Sequence, residues 1–225
     1  MIVVLAASMV FSQSKLLICV PGKQNTQRLQ NGFDTLLGPG KAIVLGRIKE
    51  LQALLPADPG AAIISNKAFF NYLQGYTYVL IGKKKNQTSE RYFMVSASKE
   101  ITKENISEKK VGVIDFLIKD QLPRFVFEQF NINGNFLKRV NKEDDLLMML
   151  GMEMVDAIIV SASQYRDIFS TTKLPLMIIA TSENSIGFAA CATREGKIDD
   201  GLMKTLLRTP VSILKELGID SWEKP

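Results

Sequence analysis

Residues 108–132, EKKVGVIDFLIKDQLPRFVFEQFNI, and residues 144–168, DDLLMMLGMEMVDAIIVSASQYRDI, decide the reading of this chain. Val111–Ile114 is a short apolar run, and apolar residues at helical spacing follow over Gln121–Phe130. Phe136–Val140 reads as the next strand, Lys142–Leu150 as a helix, Ala157–Ser161 as a strongly apolar strand and Gln164–Phe169 as a helix. Such strands predict a parallel sheet covered on both faces, because a face in water would show as alternating polar residues.

Toward the amino terminus the same rhythm recurs. Leu16–Val20, Lys41–Leu45, Ala61–Ser65 and Tyr76–Ile81 read as strands, and Thr26–Leu37, Ile48–Leu55 and Lys67–Leu73 as the helices between them. Gly38-Pro39-Gly40 and Pro56 supply the stops. After the polar stretch Lys83–Glu90 comes a strand over Tyr92–Ser96, then a charged segment from Lys99 to Lys110 that separates two similar halves. Toward the carboxyl terminus, Leu174–Ala180 is extended, Ile186–Thr193 is one further strand, and helices over Asp200–Leu207 and Pro210–Leu217 end at Gly218.

Composition excludes several chemistries. With no histidine, no Ser-His-Asp or Cys-His nucleophile and no His-ligated metal site can form. Cys19 and Cys191 lie in apolar runs, which fits small buried thiols, and a disulfide between them requires neighbouring strands. The net charge of +5 is spread along the chain, and its longest basic run, Lys83-Lys84-Lys85, reads as a solvated loop rather than a nucleic-acid grip. No cofactor motif is present: there is no glycine-rich dinucleotide loop, no phosphate-binding P-loop and no nucleophile elbow.

Residues 1–12, MIVVLAASMVFS, contain an apolar run too short to span a bilayer. Its length fits the core of a secretory signal peptide with Val10-Phe11-Ser12 at the cleavage site, although no Lys or Arg precedes it; the alternative is a buried first strand.

The two stretches quoted above resemble the second lobe of type II periplasmic solute-binding proteins, in particular the phosphate/phosphonate-type binding proteins of ABC transporters. KLLICVPG (15–22), AAIISNKAFFNYL (61–73) and the closing LMKTLLRTPVSILKELGIDSW (202–222) fit the same pattern of order and spacing. The resemblance implies an α/β fold of two lobes, each a mainly parallel sheet flanked by helices, joined by a two-strand hinge. It implies a first lobe of residues 15–94 and 190–225, a second of 98–184, and hinge segments near 92–98 and 184–192. One departure is plain. Where phosphonate binders usually carry a Ser-x-Ser-Gly type loop, this chain has Asp115-Phe116-Leu117-Ile118-Lys119, a poor cradle for an oxyanion.

Ligands of open α/β sheets sit beyond the carboxyl ends of the strands. That rule selects Gly22, Lys23, Gln24 and Asn25 after the first strand, Ser65 and Asn66 after the third, and Ser96 and Ser98 beside the first crossing. In the second half it selects Asp115 and Phe116, then Ser161, Ser163 and Tyr165. These are hydrogen-bonding and stacking types suited to a small polar ligand. Ser, Asn and Asp at such junctions are equally helix caps, and Lys23, Phe116 and Tyr165 are equally a solvated lysine and packed aromatics. The expected function is capture of a small solute by an extracytoplasmic monomer, without cofactor, metal or nucleic acid, for a membrane permease. The alternatives are a sensory input protein of the same fold with a signalling partner, the effector lobes of a transcription regulator, and an Asp/Lys/Tyr-based enzyme.

Overall fold

The computed structural model describes residues 15–23, 25–133 and 136–225. The segment read as a signal peptide and the site candidate Gln24 therefore lie outside the described residues. In the first lobe β1 (Leu16–Cys19), β2 (Ala42–Leu45), β3 (Ala62–Asn66) and β4 (Thr77–Lys83) point one way. Late in the chain β12 (Ala189–Thr193) and β13 (Ser221–Glu223) run against them, giving the order β13-β4-β12-β3-β1-β2. In the second lobe β7 (Val111–Ile114), β8 (Leu137–Val140), β9 (Ala157–Ser161) and β10 (Met177–Thr181) share a direction. β6 (Tyr92–Ser96) runs against them, in the order β10-β6-β9-β7-β8.

Each sheet thus has the same plan, with one strand delivered from the other half of the chain. β12 enters the first sheet between β3 and β4, and β6 enters the second between β9 and β10. The chain crosses from Lys83 to Tyr92 and returns from Thr181 to Ala189, and between the sheets β5 (Ser89–Glu90) pairs with β11 (Ile186–Gly187). Ser182 pins the crossings together: its hydroxyl accepts the Tyr92 N–H at 3.0 Å and donates to the Asn184 carbonyl at 2.8 Å. The first crossing therefore precedes the expected segment near 92–98, since Tyr92–Ser96 is already paired inside the second sheet. The run Ile186–Thr193, expected as one strand, breaks at Phe188 into β11 and β12.

Alternation along β1 shows how one strand serves two cores. Leu16 and Ile18 face Leu29 and Phe33 of α1 (Gln27–Leu37), Leu206 of α7 (Asp200–Leu207) and Leu214 of α8 (Val211–Glu216). Leu17 and Cys19 face Ile48 and Leu51 of α2 (Ile48–Leu54), in an apolar cluster that continues into the second lobe. There it takes in Phe125 of α4 (Gln121–Phe130) and Leu146 of α5 (Glu143–Gly151). The first lobe also carries α3 (Lys67–Asn71) and the second α6 (Ala162–Thr171).

β3 lies between β1 and β12, so Cys19 and Cys191 are not on neighbouring strands; both are free and buried. Burial pushes each thiol from 9.0 up to about 12, helped at Cys19 by the Glu50 charge. The folded state then holds two protons that the unfolded chain releases near pH 9. Stability is fully present below that pH and falls as pH rises toward about 12. A thiol reagent applied below pH 9 is expected to label neither cysteine until the protein is denatured. The double replacement Cys19→Ala, Cys191→Ala should flatten the alkaline fall in melting temperature, and an unchanged slope would refute this.

Candidate functional site

The carboxyl ends of β1, β3, β7 and β9 and the amino ends of β6 and β12 meet at a cavity of about 260 Å³ between the lobes. Ser65 is its most telling wall. The residue is 2% exposed, and its hydroxyl has no hydrogen-bond partner among the described residues. Beside it Asn66 caps α3 by accepting the Ala68 N–H at 2.8 Å, and its amide nitrogen donates to the Tyr92 hydroxyl at 3.1 Å. That bond ties the first lobe to β6 of the second. Burial holds the Tyr92 phenol well above its ordinary range.

On the opposite wall Ser161 and Gln164 form a capping box at the start of α6. The Ser161 hydroxyl accepts the Gln164 N–H at 3.2 Å and Gln164 Oε1 accepts the Ser161 N–H at 2.8 Å. The same Gln164 donates from Nε2 to Glu143 Oε1 at 2.7 Å. Ser163 gives its N–H to Glu90 Oε2 at 2.7 Å, while its hydroxyl accepts from Lys84 Nζ at 3.0 Å and from Arg166 at 3.3 Å. Phe116 supplies an apolar wall, set perpendicular to Phe125 with ring centres 5.1 Å apart and tilted on Tyr92 at 5.9 Å. Lys23 lines the rim and pairs with Glu216 at 3.4 Å.

The lobes touch on two seams. Gly22 bridges to Lys142, and its carbonyl accepts the Glu143 N–H at 3.3 Å. Farther along, the Tyr72 hydroxyl donates to Glu128 at 2.6 Å and Gln121 donates to the Tyr72 carbonyl at 3.0 Å. The Tyr72 hydroxyl and the adjacent Arg124 hold the Glu128 carboxyl below its usual range. The lobes are in contact, yet a polar cavity remains between them.

Lys23, Ser65, Asn66, Phe116, Ser161 and Ser163 therefore converge on one cavity, while Gly22 does not line it and instead bridges the lobes through Lys142. The other described candidates do not line it. Asn25 accepts the Gln27 N–H at 2.9 Å and starts α1. Ser96 is fully buried, donating to the Asp156 carbonyl at 2.7 Å and accepting from the Ser98 N–H, and Ser98 accepts the Glu100 N–H. Both lie at the wrong end of β6: an antiparallel strand puts its amino end, Tyr92, at the cavity. Asp115 turns to an ion pair with Arg139, and Tyr165 packs edge-on to Phe93 at 5.6 Å. Lys84, Glu90, Tyr92, Glu143 and Gln164 line the cavity although sequence reasoning did not select them. Lys84 also corrects the reading of its basic run as wholly solvated, since it is half-buried and bonded to Ser163.

No family model and no curated protein matches this chain. Solved structures do. A binding protein component of an ABC phosphonate transporter from Pseudomonas aeruginosa is 13% identical, with 95% of this chain and 82% of that one covered and a TM-score of 0.66. A Prochlorococcus marinus protein in complex with methylphosphonate is 10% identical, with coverage of 95% and 93% and a TM-score of 0.63. An arginine-bound ArgBP from T. maritima is 16% identical, with coverage of 91% and 96% and a TM-score of 0.54. The chain has the two-lobed α/β fold of type II periplasmic binding proteins. At these identities the likeness establishes architecture, and the ligand is a separate question.

Proposed function

We propose that this protein is an extracytoplasmic solute-binding protein that holds one small polar ligand between its lobes, serves an ABC-type permease and performs no chemistry on its ligand. The observation that carries this reading is the Ser65 hydroxyl, buried in an interlobe cavity without a partner. Leaving such a group unmatched costs about 1–3 kcal/mol, which a ligand hydrogen bond would offset. A ligand touching both lobes favours the closed arrangement by its differential affinity, and periplasmic binding proteins make this transition by hinge closure around the ligand. The binding proteins among the similar structures support the same reading.

Two further observations favour binding over catalysis. Ser163 and Lys84 are the one pairing of hydroxyl and amine described at this cavity, but the Ser163 oxygen accepts from Lys84 and Arg166 together. The Ser163 N–H, a natural donor to an oxyanion, is occupied by Glu90. Among the described residues no helix is long and apolar enough to cross a membrane, and no group of three or more Cys, Asp or Glu could hold a metal ion.

Thermal denaturation against a panel of amino acids, polyamines, oxyanions, phosphonates and vitamins tests the proposal. A ligand at a hundredfold excess over its dissociation constant adds about 2.7 kcal/mol. For a chain of this size that is a rise of about 5–11 °C in melting temperature. Flat melting curves across the panel would contradict it.

A further inference from the structure

Helix amino termini are the seats that α/β proteins offer to anionic ligands, because their N–H groups and dipole both face outward. In this cavity those seats are filled from within. Glu90, on the crossing strand β5, places Oε2 2.7 Å from the Ser163 N–H in the first turn of α6, and the Ser161 hydroxyl takes the Gln164 N–H of the same turn. The first turn of α5 carries Glu143, Asp144 and Asp145, and Glu143 lines the cavity. Ahead of α4 the loop presents Phe116 and Leu117, both buried and apolar.

The charges around the cavity point the same way. At the rim Lys23 is paired with Glu216, and exposed Lys215 and Asp167 offset one another in charge; farther in, Lys84 donates to Ser163. Glu143 commits Oε1 to Gln164, one of the several hydrogen bonds that its carboxylate can accept. Half-buried Glu143 thus faces the same small space as the unpartnered, 2%-exposed Ser65 hydroxyl. An ionised carboxylate has acceptor capacity beyond that one bond and no donor of its own, so it suits a hydrogen-bond donor that carries positive charge.

Resting on the binding-protein reading above, we infer that the ligand is a small amine, a polyamine or amino-acid-like zwitterion whose cationic nitrogen is held by Glu143 with Ser65 beside it, and that the cavity rejects phosphate and phosphonate heads. The Glu90 carboxylate repels an anion from the α6 terminus and occupies its donor. The site is therefore a cation seat within a fold whose similar structures include one in complex with methylphosphonate.

Isothermal titration of the full chain decides the matter, with putrescine, L-ornithine, L-arginine and choline as amines and inorganic phosphate, sulfate and methylphosphonate as anions. The expected result is binding of at least one amine and of no anion. Glu143→Gln keeps the shape and an oxygen acceptor but removes the charge. It should weaken amine binding about tenfold or more, at an unliganded melting temperature close to that of the native protein. Glu90→Ala, which vacates the Ser163 N–H, should gain phosphate binding that the native chain lacks. Anion binding by the native protein without amine binding would overturn the inference and leave the receptor reading standing. Equal amine affinity in Glu143→Gln would also overturn it. Binding of neither group, together with flat melting curves over the wider panel, would remove both.

Discussion

Replacing Phe125 by alanine is expected to lower the melting temperature of the free protein by about 6–20 °C. Phe-to-Ala truncations in cores cost about 3–5 kcal/mol, and for a chain of this length each kcal/mol is worth about 2–4 °C. Phe125 is 2% exposed on α4, with Phe116 perpendicular to it at 5.1 Å and Tyr92 perpendicular at 5.9 Å. Both neighbours are walls of the cavity. The truncation leaves a void directly behind them, so solute binding should weaken along with the fold. Scanning calorimetry with and without solute measures both effects. A fall of less than about 2 °C would mean that α4 collapses into the space, and that the aromatic triad does not support the site.

Gly22→Val is expected to act on closure more than on either lobe. Gly22 has φ +90°, a conformation that a β-branched residue reaches only under strain of about 1–3 kcal/mol. A Cβ there would stand 3.1 Å from Ile114 Cδ1 and 3.2 Å from Glu143 Cγ, both in the opposite lobe. The valine is a wedge in the seam. Apparent affinity falls in proportion to the closed fraction, so a tenfold depletion of the closed state weakens solute binding about tenfold. The melting temperature should drop by no more than the backbone strain accounts for. Unchanged affinity would show that the Gly22 seam plays no part in ligand capture.

The strands were legible because their chemistry is simple. Val111–Ile114 and Ala157–Ser161 are covered on both faces, and every residue in them is buried. Ser65, Asn66, Ser161 and Ser163 could be placed at the cavity wall because they end or directly follow parallel strands, whose carboxyl ends converge. Ser96 and Ser98 misled because nothing in Tyr92–Ser96 announces that β6 is antiparallel to its neighbours. Strand direction is a property of the partner, not of the strand. Asp115 was a reasonable ligand contact until Arg139, 24 residues later on β8, claimed it. Lys84 and Glu90 were hidden for a different reason: a polar stretch between two sheets looks like a solvated loop until the crossings bring it against α6. β13 went unread because three residues around Trp222 carry no periodicity, and the strand exists only through its pairing with β4.

Pairs of spin labels placed one on each lobe measure hinge closure around a solute most directly. β2 and β8 are the sheet edges farthest from the two crossings, so labels at exposed Lys49 on α2 and Lys138 on β8 report opening of the mouth. Buried Cys19 and Cys191 leave the introduced cysteines as the reactive positions. On adding a solute that raises the melting temperature, the Lys49→Cys/Lys138→Cys distance distribution should shorten and narrow, while a Thr35→Cys/Lys49→Cys pair within the first lobe stays fixed. An interlobe distance that is the same with and without bound solute would contradict the account.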